Sequence, residues 1–388
     1  MSSDSSELER HPQDLLDLPP KKANDVDFVS KLGGFIKSTY SSAARKQLDD
    51  ALKALQQLRL DMLRVTEHSD ASMKMLWKYY AQLNFVGERF PISREKLYIV
   101  FAWTNAFNPE RRSAMPNVLL EKAGVLYTAA RLESLAAAMS DRGSEEGVKS
   151  AAGHLQRAAG ILDHIAQEVV GPIVGPTLTQ DLHPASLGAL SSIMLAQAQS
   201  CFYEKAAMAS MSDSVLARLA AHAEALFAEA LERMESFFHL KRTWAPFVAF
   251  HAALNRARAA YRQAKSMTET VEREHKGFGE QISWYRLAQS AAEDALRSLE
   301  NGGKITAAWR GTVTGLQRSI AEAKEGVERD NNLIYMEEIP VETTTKTIDA
   351  AGLAKPLPLP EDATVDVDAD LFRKLEEAVE DKSSCALM

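Results

Sequence analysis

Cysteine is nearly missing, with two in 388 residues. Two thiols cannot frame a disulfide scaffold, and so sparse a use points to a reducing compartment. Glycine and proline are scarce too, at 19 and 14, which excludes collagen-like and low-complexity chain. The opening Met1-Ser-Ser-Asp4-Ser-Ser-Glu7 has no apolar stretch, so no signal peptide is expected. Ser at position 2 excludes N-myristoylation. Positive charge is in deficit, with Lys+Arg 45 against Asp+Glu 53 and a net charge of −8. Without a basic stripe to displace counterions, nucleic acid is not an expected partner.

Long hydrophobic runs are absent as well. The one charge-free stretch of membrane-spanning length, Leu182 to Tyr203, is interrupted by His183, Pro184, Ser191, Ser192, Gln197, Gln199 and Ser200. Such polar lacing reads as a buried helix of a large all-α protein. Catalytic signatures are missing in the same way. Nine histidines offer no HExxH and no Cys/His ligand spacing, so no metal site is expected. There is no GxGxxG, GxxxxGK[ST] or GxSxG. The pairs Glu145-Glu146, Glu337-Glu338 and Glu376-Glu377 are adjacent in sequence and do not face one another on a helix. No catalytic residue and no enzymatic mechanism is implied.

What the chain has in abundance is alanine, 58 residues of it. Alanine loses no side-chain entropy in a helix and lets helix backbones approach closely, so the fold class is mainly α. Helices are expected from Phe28 to Tyr40, from Ala43 to Thr66, from Met73 to Phe85, and almost continuously from Val118 to Glu328. Breaks are expected at 140–143, 171–184, 210–213, 242–246, 276–279 and 301–303, where Gly, Pro, Ser and Asp cluster. Small residues at contact positions (Ala129, Ala130, Ala136, Ala137, Ala223, Ala230, Ala253, Ala260) suggest stacked antiparallel pairs in the style of tetratricopeptide solenoids. Leu97 to Thr104 is the strongest strand signal and predicts a small N-terminal sheet. Three regions result: a flexible acidic segment 1–17, a domain over 18–360, and an acidic tail 361–388 with a short amphipathic helix at Leu371, Phe372, Leu375 and Val379.

The chain ends Cys385-Ala-Leu-Met388. This fits a C-a-a-X prenylation signal, with Met at X favouring farnesyl. The expected partner here is a prenyltransferase, and covalent farnesyl on Cys385 is the single group expected in place of a cofactor. One lipid chain gives only marginal membrane binding. Residues 361–388 also carry nine acids against three bases, which anionic lipid repels. Stable recruitment should therefore need a second attachment, to a protein.

Several segments resemble the BRO domain, the boomerang-shaped domain of Alix. They include Phe35-Ile-Lys-Ser-Thr-Tyr40, Phe101-Ala-Trp-Thr-Asn-Ala-Phe107, Leu120-Glu-Lys-Ala-Gly-Val-Leu-Tyr-Thr-Ala-Ala130 and Met194-Leu-Ala-Gln-Ala-Gln-Ser-Cys-Phe-Tyr-Glu-Lys-Ala206. Phe278-Gly-Glu-Gln-Ile282, Asp330-Asn-Asn-Leu-Ile-Tyr-Met-Glu-Glu-Ile-Pro340 and Lys355-Pro356 follow in the family's order. The resemblance implies an elongated domain with a tetratricopeptide-like core and a small β-sheet. It also implies a non-enzymatic adaptor that binds the C-terminal amphipathic helix of a filament-forming ESCRT-III subunit, a charged multivesicular body protein. The setting would be cytoplasmic and reversibly membrane-associated, at endosomes or other ESCRT-III membranes. Carried over by position, the apolar anchors fall on Phe202, Val215 and Leu219, and rim residues on Glu145 and Lys149 with Val148 beside them. Tyr335 matches a family tyrosine that can be regulatory, although packing favours a structural role. A Rho effector or general signalling scaffold using the same helical domain is the alternative.

Overall fold

The computed structural model describes residues 15–300, 307–341 and 348–363. The expected break at 301–303, the tail helix at 371–379 and Cys385 lie outside the described residues. No described helix is long and apolar enough to cross a membrane. The described chain is mainly helical, with one two-stranded sheet. It divides into two compact units, one of residues 15–17, 137–159 and 188–356, the other of 18–136, 160–187 and 357–363.

The second unit begins with α1 (Phe28–Thr39), whose N-cap Asp27 accepts the Ser30 N–H at 2.9 Å, satisfying one donor that the first helical turn leaves free. The single helix expected from Ala43 to Thr66 is two, α2 (Ser42–Gln47) and α3 (Asp49–Leu63). The break falls at Leu48, which is fully buried with φ −95° and ψ 2°. Asp49 and Asp50 then open α3, where negative charge favours a helix start. α4 (Asp70–Arg89) follows, capped by Ser69. Of the predicted strand, only Phe101–Thr104 (β1) is sheet; it pairs antiparallel with Arg112–Met115 (β2) in the register Phe101↔Met115 to Thr104↔Arg112. Leu97 instead makes an isolated bridge to Ile92.

Beneath the sheet, the buried Glu121 carboxylate accepts Arg59 Nε at 2.7 Å, Tyr79 Oη at 2.9 Å and Trp103 Nε1 at 2.8 Å. Glu121 sits on α5 (Val118–Met139). Gly124, one turn on, lies against the Trp103 indole so closely that a Cβ would overlap the ring. A second buried carboxylate, Asp181, pairs with Lys21 and accepts the Ala106 N–H at 2.8 Å.

The remaining helices are α6 (Glu145–His164), α7 (Pro184–Met208), α8 (Asp213–Met234), α9 (Phe238–Glu274), α10 (Phe278–Glu300) and α11 (Ala307–Asp330). In the first unit α8 packs on α9, α9 on α10 and α10 on α11. Buried alanines line these contacts: Ala217, Ala220, Ala223 and Ala230 on α8, Ala257, Ala260 and Ala264 on α9, and Ala288, Ala292 and Ala295 on α10. α7, which carries most of the charge-free stretch, is almost wholly buried. The break expected at 242–246 is not there, because α9 runs straight through Pro246. A proline inside a helix costs about 3 kcal/mol. Trp244, Phe247, Val248 and Phe250 around it are all buried, each contributing about 1.5–3 kcal/mol, so burial outweighs the lost backbone bond.

Candidate functional site

The candidate site is built on the α7–α8 hairpin and the start of α6, all within the first unit. The turn before α6 is held by local hydrogen bonds: Asp141 Oδ1 accepts the Gly143 N–H at 3.0 Å, and Ser144 Oγ accepts the Gly147 N–H at 3.1 Å. At Gly147 a Cβ would run into the Asp141 carbonyl, so only glycine fits this close approach. Arg142, in the same turn, points inward and donates Nη1 to Glu204 Oε1 on α7 at 3.0 Å, with both side chains buried. That pair fixes the start of α6 beside the second half of α7.

α7 ends where Ser210 takes a left-handed conformation, φ 50°, and Met211 N–H returns to the Ala206 carbonyl at 3.0 Å. α8 is then tied to α9 through Asp213, which accepts Arg262 Nη1 at 2.7 Å. Between α7, α8 and α9 lies a core cluster of Tyr203, Ala206, Ala207, Leu216, Leu219, Ala220 and Ala259, with Val215, Ala221, Ile348 and Ala351 packed against it.

The structure separates the expected anchors by depth. Phe202 and Val215 are half-buried, whereas Leu219 is 3% exposed and part of the core cluster. Val148 is 1% exposed. Glu145 and Lys149 are exposed on the first turns of α6, and Lys149 Nζ lies 3.7 Å from Glu146 Oε1. Two exposed methionines that sequence reasoning passed over, Met208 and Met211, stand at the hairpin tip. Their only signal is position, at a helix end followed by Ser and Asp. Methionine is flexible and polarizable, suited to a surface that adapts to an apolar partner.

Electrostatics beneath this surface are unusual. Burial pushes the Glu204 carboxyl up to about 7 despite Arg142 and Arg258, which favour its charged form. Burial also raises the Cys201 thiol, leaving an inert sulfhydryl rather than a nucleophile. His251, buried among Phe227, Phe247, Phe250 and Trp309, is held down to about 3 by burial, with Arg258 and Arg142 adding to it. Phe202, Val215, Leu219 and Val148 carry no metal-ligating atom. The surface offers apolar contact flanked by charge, which is chemistry for binding.

The two glutamines of the Leu195-Ala-Gln-Ala-Gln199 run act as backbone clamps. Gln197 accepts the Leu16 N–H at 2.7 Å and donates to the Leu16 carbonyl at 3.3 Å. Gln199 holds the extended segment 351–354. Tyr335 lies in the π-helical turn Asn331–Tyr335. It stacks on Phe278 at 3.9 Å between centroids, and its hydroxyl is 3.1 Å from His275 Nδ1.

Comparison with known proteins bears on the whole fold. The BRO1-like domain model matches residues 15–377. ALG-2 interacting protein X of Dictyostelium discoideum is 32% identical over 356 residues, covering 91% of this chain and 44% of that protein. Programmed cell death 6-interacting protein of Mus musculus is 30% identical over 348 residues, covering 87% and 38%. The chain thus spans less than half the length of these curated relatives. Among solved structures, the ALIX BRO1 domain in complex with CHMP4C superposes with a TM-score of 0.80 at 28% identity, covering 93% of this chain and 99% of that one. With a family model matched over nearly all its described length, this chain belongs to the BRO1-like domain family.

Proposed function

We propose that this protein is a non-enzymatic adaptor whose α7–α8 surface binds the C-terminal amphipathic helix of an ESCRT-III subunit. The observation that carries the reading is the half-exposed pair Phe202 and Val215, flanked by exposed Met208 and Met211 and by Glu145 and Lys149. A similar domain, that of ALIX, has been solved with CHMP4C, which supports a helix of that class as the partner. Recognition of this kind fills a shallow apolar surface with residues spaced i, i+3 and i+4, while rim charges set direction. Leu219 and Val148 support the surface from below.

The test is fluorescence anisotropy with a labelled peptide of the CHMP4C C-terminal helix. Phe202→Asp, at a half-exposed position, should lower affinity at least tenfold with an unchanged circular dichroism spectrum. Wild-type affinity in that variant, or no binding by the wild type, refutes the reading.

We further propose a farnesyl thioether on Cys385, supported by the Cys385-Ala-Leu-Met388 motif. The lipid would add weak, reversible affinity for the membrane that carries the ESCRT-III filament. Two weak attachments to one surface multiply through effective concentration. Intact mass of the C-terminal peptide from native protein should show the prenyl group, and an unmodified Cys385 refutes it.

A further inference from the structure

The turn before α6 leads into the charged rim of the candidate surface, and a buried side chain seats it. Arg142 projects from this turn into the interior, where it donates Nη1 to Glu204 Oε1 on α7 at 3.0 Å. The two side chains are 6% and 3% exposed. Arg142 also hydrogen-bonds the Cys201 thiol, one turn earlier on α7. Within the turn, Ser144 Oγ donates to the Asp141 carbonyl at 3.2 Å and the Val148 N–H to the Ser144 carbonyl at 3.0 Å. Those bonds shape the turn without attaching it to α7. Farther along α6, Ser191 Oγ on α7 reaches the Ala159 carbonyl only at 3.4 Å.

The pair lies between the two parts of the surface. On α7, Glu204 is two residues from Phe202 and one turn from Met208. Arg142 precedes Glu145 by three residues and Lys149 by seven. Charged groups act on Glu204 from two elements besides its own. One is Arg142; the other is Arg258 on α9, whose guanidinium lies over the Tyr203 ring at 5.1 Å. Asp141, in the same turn as Arg142, is exposed. On α7 itself burial keeps the Cys201 thiol protonated. His251, two turns before Arg258 on α9, is kept neutral by burial and by both arginines. From α8 the packing is apolar, through Leu216, Leu219 and Ala220. Burial lifts the Glu204 carboxyl to about 7, so Glu204 is the member of this set whose charge changes near neutrality.

We propose that Arg142 and Glu204 are positioning residues for the partner helix, and that binding of the helix is coupled to release of the Glu204 proton. This rests on the α7–α8 surface reading and adds regulation to it. Ionised Glu204 accepts a charge-assisted bond from Arg142, roughly twice as strong as a bond between neutral groups. That bond draws the turn onto α7 and holds Glu145 and Lys149 at a fixed distance from Phe202 and Val215. Protonated Glu204 leaves Arg142 with only a neutral carboxyl and a thiol, and the rim is held less firmly. A helix that meets the rim charges and the apolar floor together gains most from the first state. By linkage, a partner that favours ionised Glu204 weakens its hold on the proton, and the proton weakens the partner by the same factor. Affinity is therefore highest above about pH 7 and falls as pH drops through that value.

The experiment uses the full chain and the labelled CHMP4C helix peptide in anisotropy titrations, with circular dichroism at each pH. Between about pH 8 and pH 6 wild-type affinity should fall about three- to fivefold, within the tenfold per pH unit that one proton allows. Glu204→Gln keeps an oxygen for Arg142 but has no proton to release. It should bind with the wild type's low-pH affinity, and the pH-dependent loss should be absent. Arg142→Leu/Glu204→Leu replaces the pair by apolar packing, which often holds as well as a buried ion pair. This double variant should stay near the wild type's high-pH affinity across the range, and it provides the test if Glu204→Gln does not fold. Calorimetry at pH 7 in buffers of different ionisation enthalpy should show a fraction of a proton released per peptide bound by wild type and not by Glu204→Gln. Parallel pH profiles in wild type and either variant overturn the coupling and leave the surface reading standing. A pair that only braces the fold would change affinity by the same factor at every pH, which gives that parallel result. Wild-type affinity in Phe202→Asp overturns both.

Discussion

Each unit buries a glutamate on a long helix next to an arginine, yet the two carboxylates differ in kind. Glu121 in the second unit accepts three donors, from Arg59, Tyr79 and Trp103, at 2.7–2.9 Å. They come from α3, α4 and β1, so one carboxylate holds three elements of that unit to α5. Glu204 in the first unit faces Arg142 and Arg258, and burial still pushes its carboxyl up to about 7. The first arrangement is a structural lock. In the second, desolvation outweighs the attraction of two guanidinium groups, and the group is left near its titration point beneath the candidate groove. A buried ion pair is therefore not one kind of interaction, and neighbouring donors decide which kind it becomes.

The comparison breaks most visibly at Glu121. Replacing it with leucine leaves Arg59 fully buried, with Nη1 and Nη2 already lacking hydrogen-bond partners among the described residues. Removing one partner of a buried pair costs about 3–5 kcal/mol. Glu121→Leu should lower the urea midpoint by a corresponding amount, measured by circular dichroism. Glu204→Leu at the same pH should cost less, because its ionised form is already disfavoured in the fold. Equal losses at the two sites would erase the distinction.

A smaller effect sharpens the contrast between the groove surface and what supports it. Leu219→Ala removes a buried side chain from the cluster under Val215 and should cost about 2–4 kcal/mol. Phe202→Ala, half-buried, should cost less stability while affecting peptide binding more. A Leu219→Asp variant would confound folding with recognition, so Phe202 and Val215 are the positions at which binding can be read cleanly.

Much of the helical architecture was legible in the pattern of the sequence, because alanine content and the 3.6-residue period are local properties. The charge-free run of α7 was readable as core for the same reason: His183, Pro184 and Gln197 are intolerable in lipid but cheap in a protein interior with partners at hand. Local rules failed where tertiary burial overruled them. Pro246 signals a break, but the apolar side chains around it hold α9 intact. Leu48 sits in an unbroken leucine period, yet the chain turns there. The candidate partner surface could be located only through family resemblance, since helical periodicity places Phe202, Val215 and Leu219 on apolar faces without saying which of them reach solvent. The Gln199 clamp was not legible at all. Its partners are backbone groups about 20 and 150 residues away, and backbone groups carry no sequence signal.

The finest test of the comparison is pH dependence, where Glu204 and His251 act with opposite sign. Glu204 holds its proton more tightly folded than unfolded, so its contribution to stability is greatest below the ordinary carboxylate range. That contribution falls as pH rises toward about 7 and is flat above. His251, held down to about 3, resists protonation in the fold. Its contribution is complete above the ordinary imidazole value of 6.5 and is lost as pH falls toward 3. Between about pH 5 and 6.5 the two slopes oppose each other, each limited to about 1.4 kcal/mol per pH unit. Glu204→Gln removes one slope and leaves the other. Relative to wild type, this variant should lose stability steadily as pH falls from 6.5 to 5, and the difference between the two urea-midpoint curves isolates Glu204 from every other titrating group. Parallel curves would mean that Glu204 titrates like an ordinary surface carboxylate, and that Arg142 and Arg258 offset its burial as fully as Arg59, Tyr79 and Trp103 satisfy Glu121.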